Sequence, residues 1–301
     1  MTKRIIYCES PSYIKLKDKQ LYIEFKDKSN PTSIIPVEDI GTLIIDNNQI
    51  TITSALIQEL QNNKVAFIIC DNKHMPTGLM LPIDGNSIQH KRIELQAKMS
   101  QTLKNNLWKQ IIIKKIKNQS VILDNLSIDS KRLKTLSKSI SSGDKTNREA
   151  HASIYYWKNI FKDYVEHFIR DTDGSSPNNF LNYGYTILRS IISKSIVSAG
   201  LSPTIGLFHK NQFNAFCLAD DLMEPFRPFV DKIVYDIIKT NGVNEFLTKE
   251  HRKTLLQVTL SEVISINEKT SITLATQNLV NSYVRFLKKE QDKLDFPEFL
   301  K

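Results

Sequence analysis

Three carboxylates lie close together in the segment HKNQFNAFCLADDLMEPFRP, which spans residues 209–228. Asp220, Asp221 and Glu224 have mostly apolar neighbours, unlike the acids of an exposed helix. A carboxylate in apolar surroundings needs a partner, because burying an unpaired charge is costly. That partner could be a cation, an arginine or a metal ion, and His209 adds a nitrogen of the kind that binds Mn²⁺ or Zn²⁺.

The spacing of these acids predicts that they share one face of a helix. Asp220 and Glu224 are four residues apart, and Asp221 and Glu224 are three apart. Like charges at these spacings repel each other and destabilise a helix unless a bound cation offsets the repulsion. Pro225 removes a backbone donor and disfavours helical geometry at the preceding residue, so we expect a kink at Glu224.

A further candidate carboxylate is Glu149, in the stretch NREAHASIYYW. Thr146 or Asn147 can cap a helix here, and a glutamate in the first turn of a helix is usually explained by the helix dipole. At 3.6 residues per turn, however, Glu149 lies within about 20° of Tyr156 and Ile160. It is therefore in line with the predicted buried face of the helix.

One histidine and two glutamates offer a divalent ion one neutral nitrogen and two negative charges. This donor set suits Mg²⁺ or Mn²⁺ chemistry at phosphate groups. The spacing alone does not show that Glu149, His209 and Glu224 meet, because they are spread over ~75 residues. A single histidine is more often a structural residue than a ligand.

The elements that must position these residues change character along the chain. Short apolar stretches separated by turn residues predict strands near 4–8, 12–16, 21–25, 43–46 and 65–70, with a helix over 53–63. After Pro82 and Gly85, apolar residues recur every three to four positions, which predicts long helices near 91–118, 147–169, 178–199, 228–240 and 271–290. The predicted fold class is therefore α+β with two domains. A β-rich N-terminal domain covers residues 1–90, and an all-helical C-terminal catalytic domain covers residues 91–301.

The charge of the chain favours an anionic partner. It has 41 Lys and Arg against 32 Asp and Glu, a net charge of +9, and nucleic acid is the usual partner of such a protein. The predicted helix over 91–118 has eight basic residues and one acid. Its lysines, Lys104 and Lys109 among them, form either a solvated face or a track for a phosphate backbone. The apolar line that includes Trp108 is interpreted as packing.

The number and spacing of the cysteines, and the lengths of the apolar runs, argue against disulfide-stabilised, zinc-knuckle and membrane-spanning proteins. Cys8, Cys70 and Cys217 are far apart and odd in number, which argues against a disulfide framework or a zinc knuckle. We see no signal-peptide h-region and no apolar run of the ~20 residues that a membrane span needs. We expect a soluble, cytoplasmic protein.

Several motifs together resemble one family. DLMEPFRPFVD at 221–231, with His209 fifteen residues before Glu224, NREAHA at 147–152 and NYGYTIL at 182–188 are similar to CRISPR-associated protein 1, the spacer integrase. The resemblance covers essentially the whole chain and is greatest to the form found in type II systems.

The resemblance implies a metal site at Glu149, His209 and Glu224, with Asp221 a further acid near it. It assigns no role to Asp220. It also implies that Tyr183 and Tyr185 lie near the DNA-binding side, although both residues can equally be explained by core packing. Arg227, in the same motif as Glu224, is a candidate DNA contact.

The resemblance also implies a reaction and partners. The reaction is metal-dependent DNA strand transfer, a transesterification that inserts short spacer fragments into the CRISPR repeat array, with Mg²⁺ or Mn²⁺ as cofactor and with DNA endonuclease activity. The partners are DNA, a second copy of the chain in a homodimer and CRISPR-associated protein 2. The type II effector nuclease and a further adaptation protein can join this assembly.

Two alternatives stay open on the sequence. One is a metal-dependent nuclease that uses water as nucleophile at the same site. The other is a non-catalytic DNA-binding scaffold in which the acids form salt bridges with Arg227.

Overall fold

The structure is a computed structural model that describes residues 3–172 and 174–300. The chain divides into two compact units, residues 1–89 and residues 90–301. Among the described residues, no helix is both long and apolar enough to cross a bilayer.

The first unit contains two four-stranded sheets. One sheet has the order β1, β5, β7, β8, and the other has the order β4, β3, β2, β6. The strands are β1 (Arg4–Cys8), β2 (Ser12–Lys17), β3 (Gln20–Phe25), β4 (Ser33–Pro36), β5 (Ile40–Ile45), β6 (Thr51–Ile52), β7 (Ala66–Cys70) and β8 (Pro76–Met80). The five strands predicted for this region are confirmed, and β4, β6 and β8 are additional.

Local sequence explains two connections of this unit, one a turn and the other a helix. Asp18 and Lys19 both have positive φ, as the two-residue type I′ turn between β2 and β3 requires. Helix α1 (Ser54–Asn62), predicted over 53–63, lies between β6 and β7, and the chain thereby crosses from β5 to the parallel strand β7. Leu56 and Leu60 of this helix are fully buried in the core of the unit.

The second unit is mainly helical. Its helices are α2 (Gln89–Ala97), α3 (Gln101–Asn125), α4 (Lys131–Lys138), α5 (Arg148–Ile160), α6 (Asn178–Ser198), α7 (Cys217–Met223), α8 (Arg227–Asn241), α9 (Lys249–Leu256) and α10 (Ile272–Leu287). The prediction of one helix over 91–118 is wrong, because α2 ends at Ala97. Ser100 caps α3, its hydroxyl accepting a hydrogen bond from the N–H of Leu103.

The prediction of an all-helical C-terminal domain is also wrong. Strands β9 (Glu262–Ser265) and β10 (Glu268–Ser271) pair as an antiparallel hairpin. Its two turn residues, Ile266 and Asn267, both have positive φ. Isoleucine seldom adopts this conformation, so the segment lacks the Asn-Gly signal by which such a turn is normally predicted.

Helix α3 organises the part of this unit that contains the candidate residues. It contacts α4, α5 and α8, and also the 3₁₀ turn Glu224–Phe226. Trp108 and Ile112 of α3 are buried, in agreement with the interpretation of this apolar line as packing.

Candidate active site

The residue before Pro225 stays helical, with φ −52° and ψ −43° at Glu224, so the prediction that helical geometry is lost there is wrong. Helix α7 ends at Met223, and Glu224, Pro225 and Phe226 form one 3₁₀ turn before α8 begins. The side-chain amide of Asn118, from α3, donates a 2.8 Å hydrogen bond to the carbonyl oxygen of Pro225. This buried contact fixes the turn, and with it the position of Glu224.

Asp220 has an arginine as its partner. Its Oδ1 accepts a 2.7 Å bond from Nε of Arg189, and its Oδ2 accepts a 2.7 Å bond from the amide of Asn214. Both carboxylate oxygens are engaged, so Asp220 has a structural role in this geometry.

Asp221 is fully buried and accepts four hydrogen bonds. Its Oδ2 accepts from the backbone N–H of Leu207 at 2.5 Å and of Phe208 at 3.0 Å. Its Oδ1 accepts from the backbone N–H of His209 at 3.2 Å and lies 2.7 Å from Nδ1 of the same residue. Asp221 therefore holds the loop that carries the histidine.

The contact with Asp221 defines the chemistry of His209. The hydrogen bond to Asp221 is the largest cause that raises the pKa of His209, although partial burial opposes it. In the neutral ring, Nδ1–H donates to the carboxylate and Nε2 therefore carries the lone pair. Carboxylates orient metal-binding histidines in this way in many proteins.

Packing also fixes the imidazole. The ring of Phe208 is stacked on buried Trp108, with a centroid distance of 4.2 Å. The ring of His209 stands edge-on to both aromatic rings, 5.9 Å from Trp108 and 5.8 Å from Phe208. The loop needs a glycine at position 206, because a Cβ on Gly206 would lie 2.4 Å from the carbonyl oxygen of His209.

Glu149 and Glu224 meet at a lysine. The Nζ of Lys115, from α3, lies 2.6 Å from Oε1 of Glu149 and 2.7 Å from Oε2 of Glu224. The carboxylate of Asp144 caps α5 by accepting bonds from the N–H groups of Arg148 and Glu149, at 2.9 Å each. The cap is thus Asp144 rather than Thr146 or Asn147, and the side chain of Glu149 is directed to the interior, as its position on the helix predicts.

Burial and the neighbouring charges have opposite effects on the pKa values of Glu224 and Lys115. Burial opposes the charge of Glu224, but Arg227 and Lys115 outweigh it and lower the pKa of the carboxyl group. Burial likewise opposes the charge of Lys115, but Glu224 and Glu149 outweigh it and raise the pKa of the lysine. Both groups are therefore ionised at neutral pH.

Arg227 connects Glu224 to a second buried carboxylate. Its Nε lies 2.9 Å from Oε1 of Glu224, and its guanidinium lies 4.6 Å from the ring centroid of Tyr185. The hydroxyl groups of Tyr185 and Tyr156 both donate to Asp231. Burial raises the pKa of Asp231 to about 6, although the two tyrosines and the neighbouring arginines oppose the rise.

The donor groups fit a divalent ion, although they are not arranged as a preformed set of ligands. Within residues 3–172 and 174–300, no three His, Cys, Asp or Glu side chains form such a set. The carboxylate of Glu224 is held by cations at both oxygens, Lys115 at 2.7 Å from Oε2 and Arg227 at 2.9 Å from Oε1. Two carboxylates that already share a cation, with an imidazole nearby, are suitable ligands for Mg²⁺ or Mn²⁺.

The candidate DNA contacts differ in their exposure. Tyr183 is fully buried and Tyr185 nearly so, a placement that supports core packing. Lys104 and Lys109 are half-buried on α3. Arg227 and Tyr185 line a small cavity of about 160 Å³ together with Lys115, Gln119, Trp157, Arg170 and Asp231.

Sequence reasoning missed the importance of Lys115 and Asp231. Lys115 was counted only among the basic residues of a helix. Its spacing of four residues from Ile111 and eight from Leu107 places it on the buried face, and this signal could have distinguished it. Asp231 follows a run of apolar residues, but nothing in that pattern indicates its two tyrosine partners.

Comparisons with known proteins agree on one family. The family model described as CRISPR associated protein Cas1 matches residues 5–266. The CRISPR-associated endonuclease Cas1 of Neisseria meningitidis serogroup C (strain 8013) is 34% identical over 304 residues, which cover 100% of this chain and 97% of that protein.

Solved structures show the same fold at low sequence identity. A casposase bound to its integration product has a TM-score of 0.79 at 21% identity, covering 98% of this chain and 93% of that one. A chain of a Cas6-RT-Cas1–Cas2 complex has a TM-score of 0.77 at 19% identity, covering 100% of this chain and 37% of that one.

Proposed function

This chain belongs to the Cas1 family of CRISPR-associated proteins, and from that premise we propose that it is a metal-dependent DNA integrase of CRISPR adaptation. One observation carries the proposal. Glu149 and Glu224, which are far apart in sequence, converge on one cation position. His209 lies near enough for its charge to lower the pKa of Glu224.

We assign the metal ligands to Glu149, Glu224 and Nε2 of His209. A Mg²⁺ or Mn²⁺ ion bound there would polarise the phosphorus of the scissile phosphodiester and stabilise charge on the leaving oxygen. Asp221 has no role as a ligand in this proposal, because its two oxygens already accept four hydrogen bonds.

The residues of the chain prepare this site in two ways. Asp221 holds His209 in the tautomer that leaves Nε2 available, and Arg227 with Lys115 keeps Glu224 ionised. The attacking group is the 3′-hydroxyl of the incoming DNA fragment, so no side chain acts as a nucleophile. One phosphodiester bond replaces another, and the reaction therefore needs no ATP.

The proposed partners follow the family. The casposase and the Cas1–Cas2 complex named above support DNA and CRISPR-associated protein 2 as partners. We further propose a homodimer, with the type II effector nuclease and a further adaptation protein as additional components. Lys104, Lys109 and Arg227 are the side chains we assign to the DNA backbone.

A strand-transfer assay tests the proposal. The protein and its small partner are mixed with a labelled short duplex and a supercoiled plasmid that carries the repeat, with Mn²⁺, Mg²⁺ or EDTA. We expect labelled plasmid only with a divalent ion, and a loss of at least about 100-fold in Glu149→Ala and Glu224→Ala, the scale of a lost charge-stabilising group.

The same assay separates the alternatives. Cutting without joining favours a nuclease, which is the activity named for the Neisseria relative. Binding without either reaction favours the scaffold. The scaffold accounts for the ion pair between Glu224 and Arg227, but it gives no reason why Glu149 and Glu224 also converge on Lys115.

A further inference from the structure

Lys115 is an unusual charge in the second unit. Its side chain is 10% exposed, and lysines are rarely buried unless they are paired. The ammonium group is shared between two carboxylates that come from different elements, α5 and the 3₁₀ turn after α7. These are the two carboxylates to which the proposed function assigns the metal.

The ammonium and a divalent ion compete for the same oxygen atoms. Mg²⁺–oxygen distances are about 2.1 Å, so an ion bound to Oε1 of Glu149 would lie within about 4.7 Å of Nζ in its present position. At Oε2 of Glu224 the corresponding limit is about 4.8 Å. Inside a buried cluster, a charge of +2 and a charge of +1 at this distance repel each other strongly.

We propose that Lys115 is an internal counter-cation of the metal site. It holds Glu149 and Glu224 together as an ion-paired cluster, and it must leave the shared oxygens before a divalent ion can bind to both of them. This inference rests on the metal site of the proposed function. The lysine preserves the spacing of two like charges, and it lowers the affinity of the site for the ion.

Lys114 provides a matched control on the same helix. It is the adjacent residue, its side chain is 13% exposed, and its Nζ lies 2.5 Å from Oε1 of Glu298. Lys114→Met and Lys115→Met each remove one positive charge and one ion-paired lysine. Only the second substitution removes a cation from the two glutamates.

The experiment measures Mn²⁺ binding by electron paramagnetic resonance, at constant pH and ionic strength, in the full-length wild type and both variants. We expect Lys115→Met to bind Mn²⁺ at least about tenfold more tightly, the scale of one charge acting over this distance. Lys114→Met should stay within about twofold of the wild type. We also expect Mn²⁺ to raise the melting temperature of Lys115→Met more than that of the wild type.

A second readout needs no stable Lys115→Met variant. In wild-type protein with ¹⁵N-labelled lysine, a paired and buried ammonium gives a visible resonance, which Lys115→Arg assigns by its absence. We expect added Mg²⁺ to shift or remove the Lys115 resonance and to leave that of Lys114 unchanged.

The outcomes distinguish this proposal from the proposed function. The proposed competition between Lys115 and the divalent ion is overturned by either of two results. One is equal or weaker Mn²⁺ binding by Lys115→Met, and the other is a Lys115 resonance that does not respond to bound Mg²⁺. A wild type that binds no Mn²⁺ overturns the metal site and this inference together. Competition observed without any strand transfer supports the inference and rejects the proposed reaction alone.

Discussion

Replacing Asp221 by asparagine should disable the site, although the two side chains have nearly the same shape. Each oxygen of Asp221 faces two N–H groups: those of Leu207 and Phe208 at Oδ2, and both from His209 at Oδ1. An amide nitrogen must replace one of these oxygens. In either orientation it places a donor opposite two donors.

The magnitude follows from those contacts. Each buried donor that loses its acceptor costs about 1–3 kcal/mol, so two of them reduce the free energy of unfolding by about 2–6 kcal/mol. The imidazole can relieve one conflict if its Nδ1 accepts a hydrogen bond from the introduced side-chain amide. That change moves the proton to Nε2 of His209 and removes the lone pair assigned to the metal.

Four measurements test the Asp221→Asn substitution. We expect a melting temperature lower by at least about 5 °C, weaker Mn²⁺ binding and loss of strand transfer. The pKa of His209, followed by NMR in EDTA, should fall, because its hydrogen bond to Asp221 is the largest cause that raises it. The control Asp220→Asn changes the adjacent acid, which pairs with Arg189, and should leave Mn²⁺ affinity nearly unchanged.

The reasoning fails if Asp221→Asn melts and binds Mn²⁺ like the wild type. It also fails if Asp220→Asn reduces Mn²⁺ affinity as much as Asp221→Asn does, since the effect would then come from lost negative charge rather than from the orientation of His209.

Two further substitutions test the surroundings of the site. Gly206→Ala should lower stability and Mn²⁺ affinity together, because the added Cβ would lie 2.4 Å from the carbonyl oxygen of His209. Gly242→Ala is the control for loss of a glycine, since its Cβ would meet nothing within 4 Å. Gly242 has a positive φ, so its substitution can lower stability, but Mn²⁺ affinity should stay unchanged. Asp231→Asn should change the pH dependence of unfolding. The pKa of Asp231 rises from 3.8 to about 6 on folding, so its ionised form destabilises the fold by about 3 kcal/mol well above pH 6 and by almost nothing below about pH 3. Between roughly pH 5 and pH 7.5, urea titrations should therefore show the stability of the wild type falling by about 1.4 kcal/mol relative to Asp231→Asn, and parallel curves would contradict this.

Local patterns predicted most of the elements. The strand at Arg4–Cys8 and the helix predicted over 53–63 both depend on nearby residues, and the structure has each of them. The position of Glu149 toward the interior followed from helical geometry alone. The break between α2 and α3 was missed because apolar spacing continues through it, and only the cap at Ser100 marks it.

Local sequence patterns could not identify the partners of the charged groups. Lys115 meets Glu149 and Glu224 from positions 34 and 109 residues away, and helical periodicity shows only which face each residue occupies. The sequence showed that the acids need cations. It could not assign Arg189 to Asp220 or His209 to Asp221, because the packing of α6 against α7 decides the first pair and the fold of the loop before α7 decides the second.

Helix α3 sets the spacing of three contacts in the site. Trp108 contacts the ring of His209, Lys115 bridges the glutamates, and Asn118 holds the turn at Pro225. At 100° per residue, these three positions lie within one sector of about 80°. Deleting one residue between them would rotate one contact by about 100° away from the others. Evolution can therefore vary the side chains along this stretch more freely than its length, and an alignment of relatives should show substitutions there but no gaps.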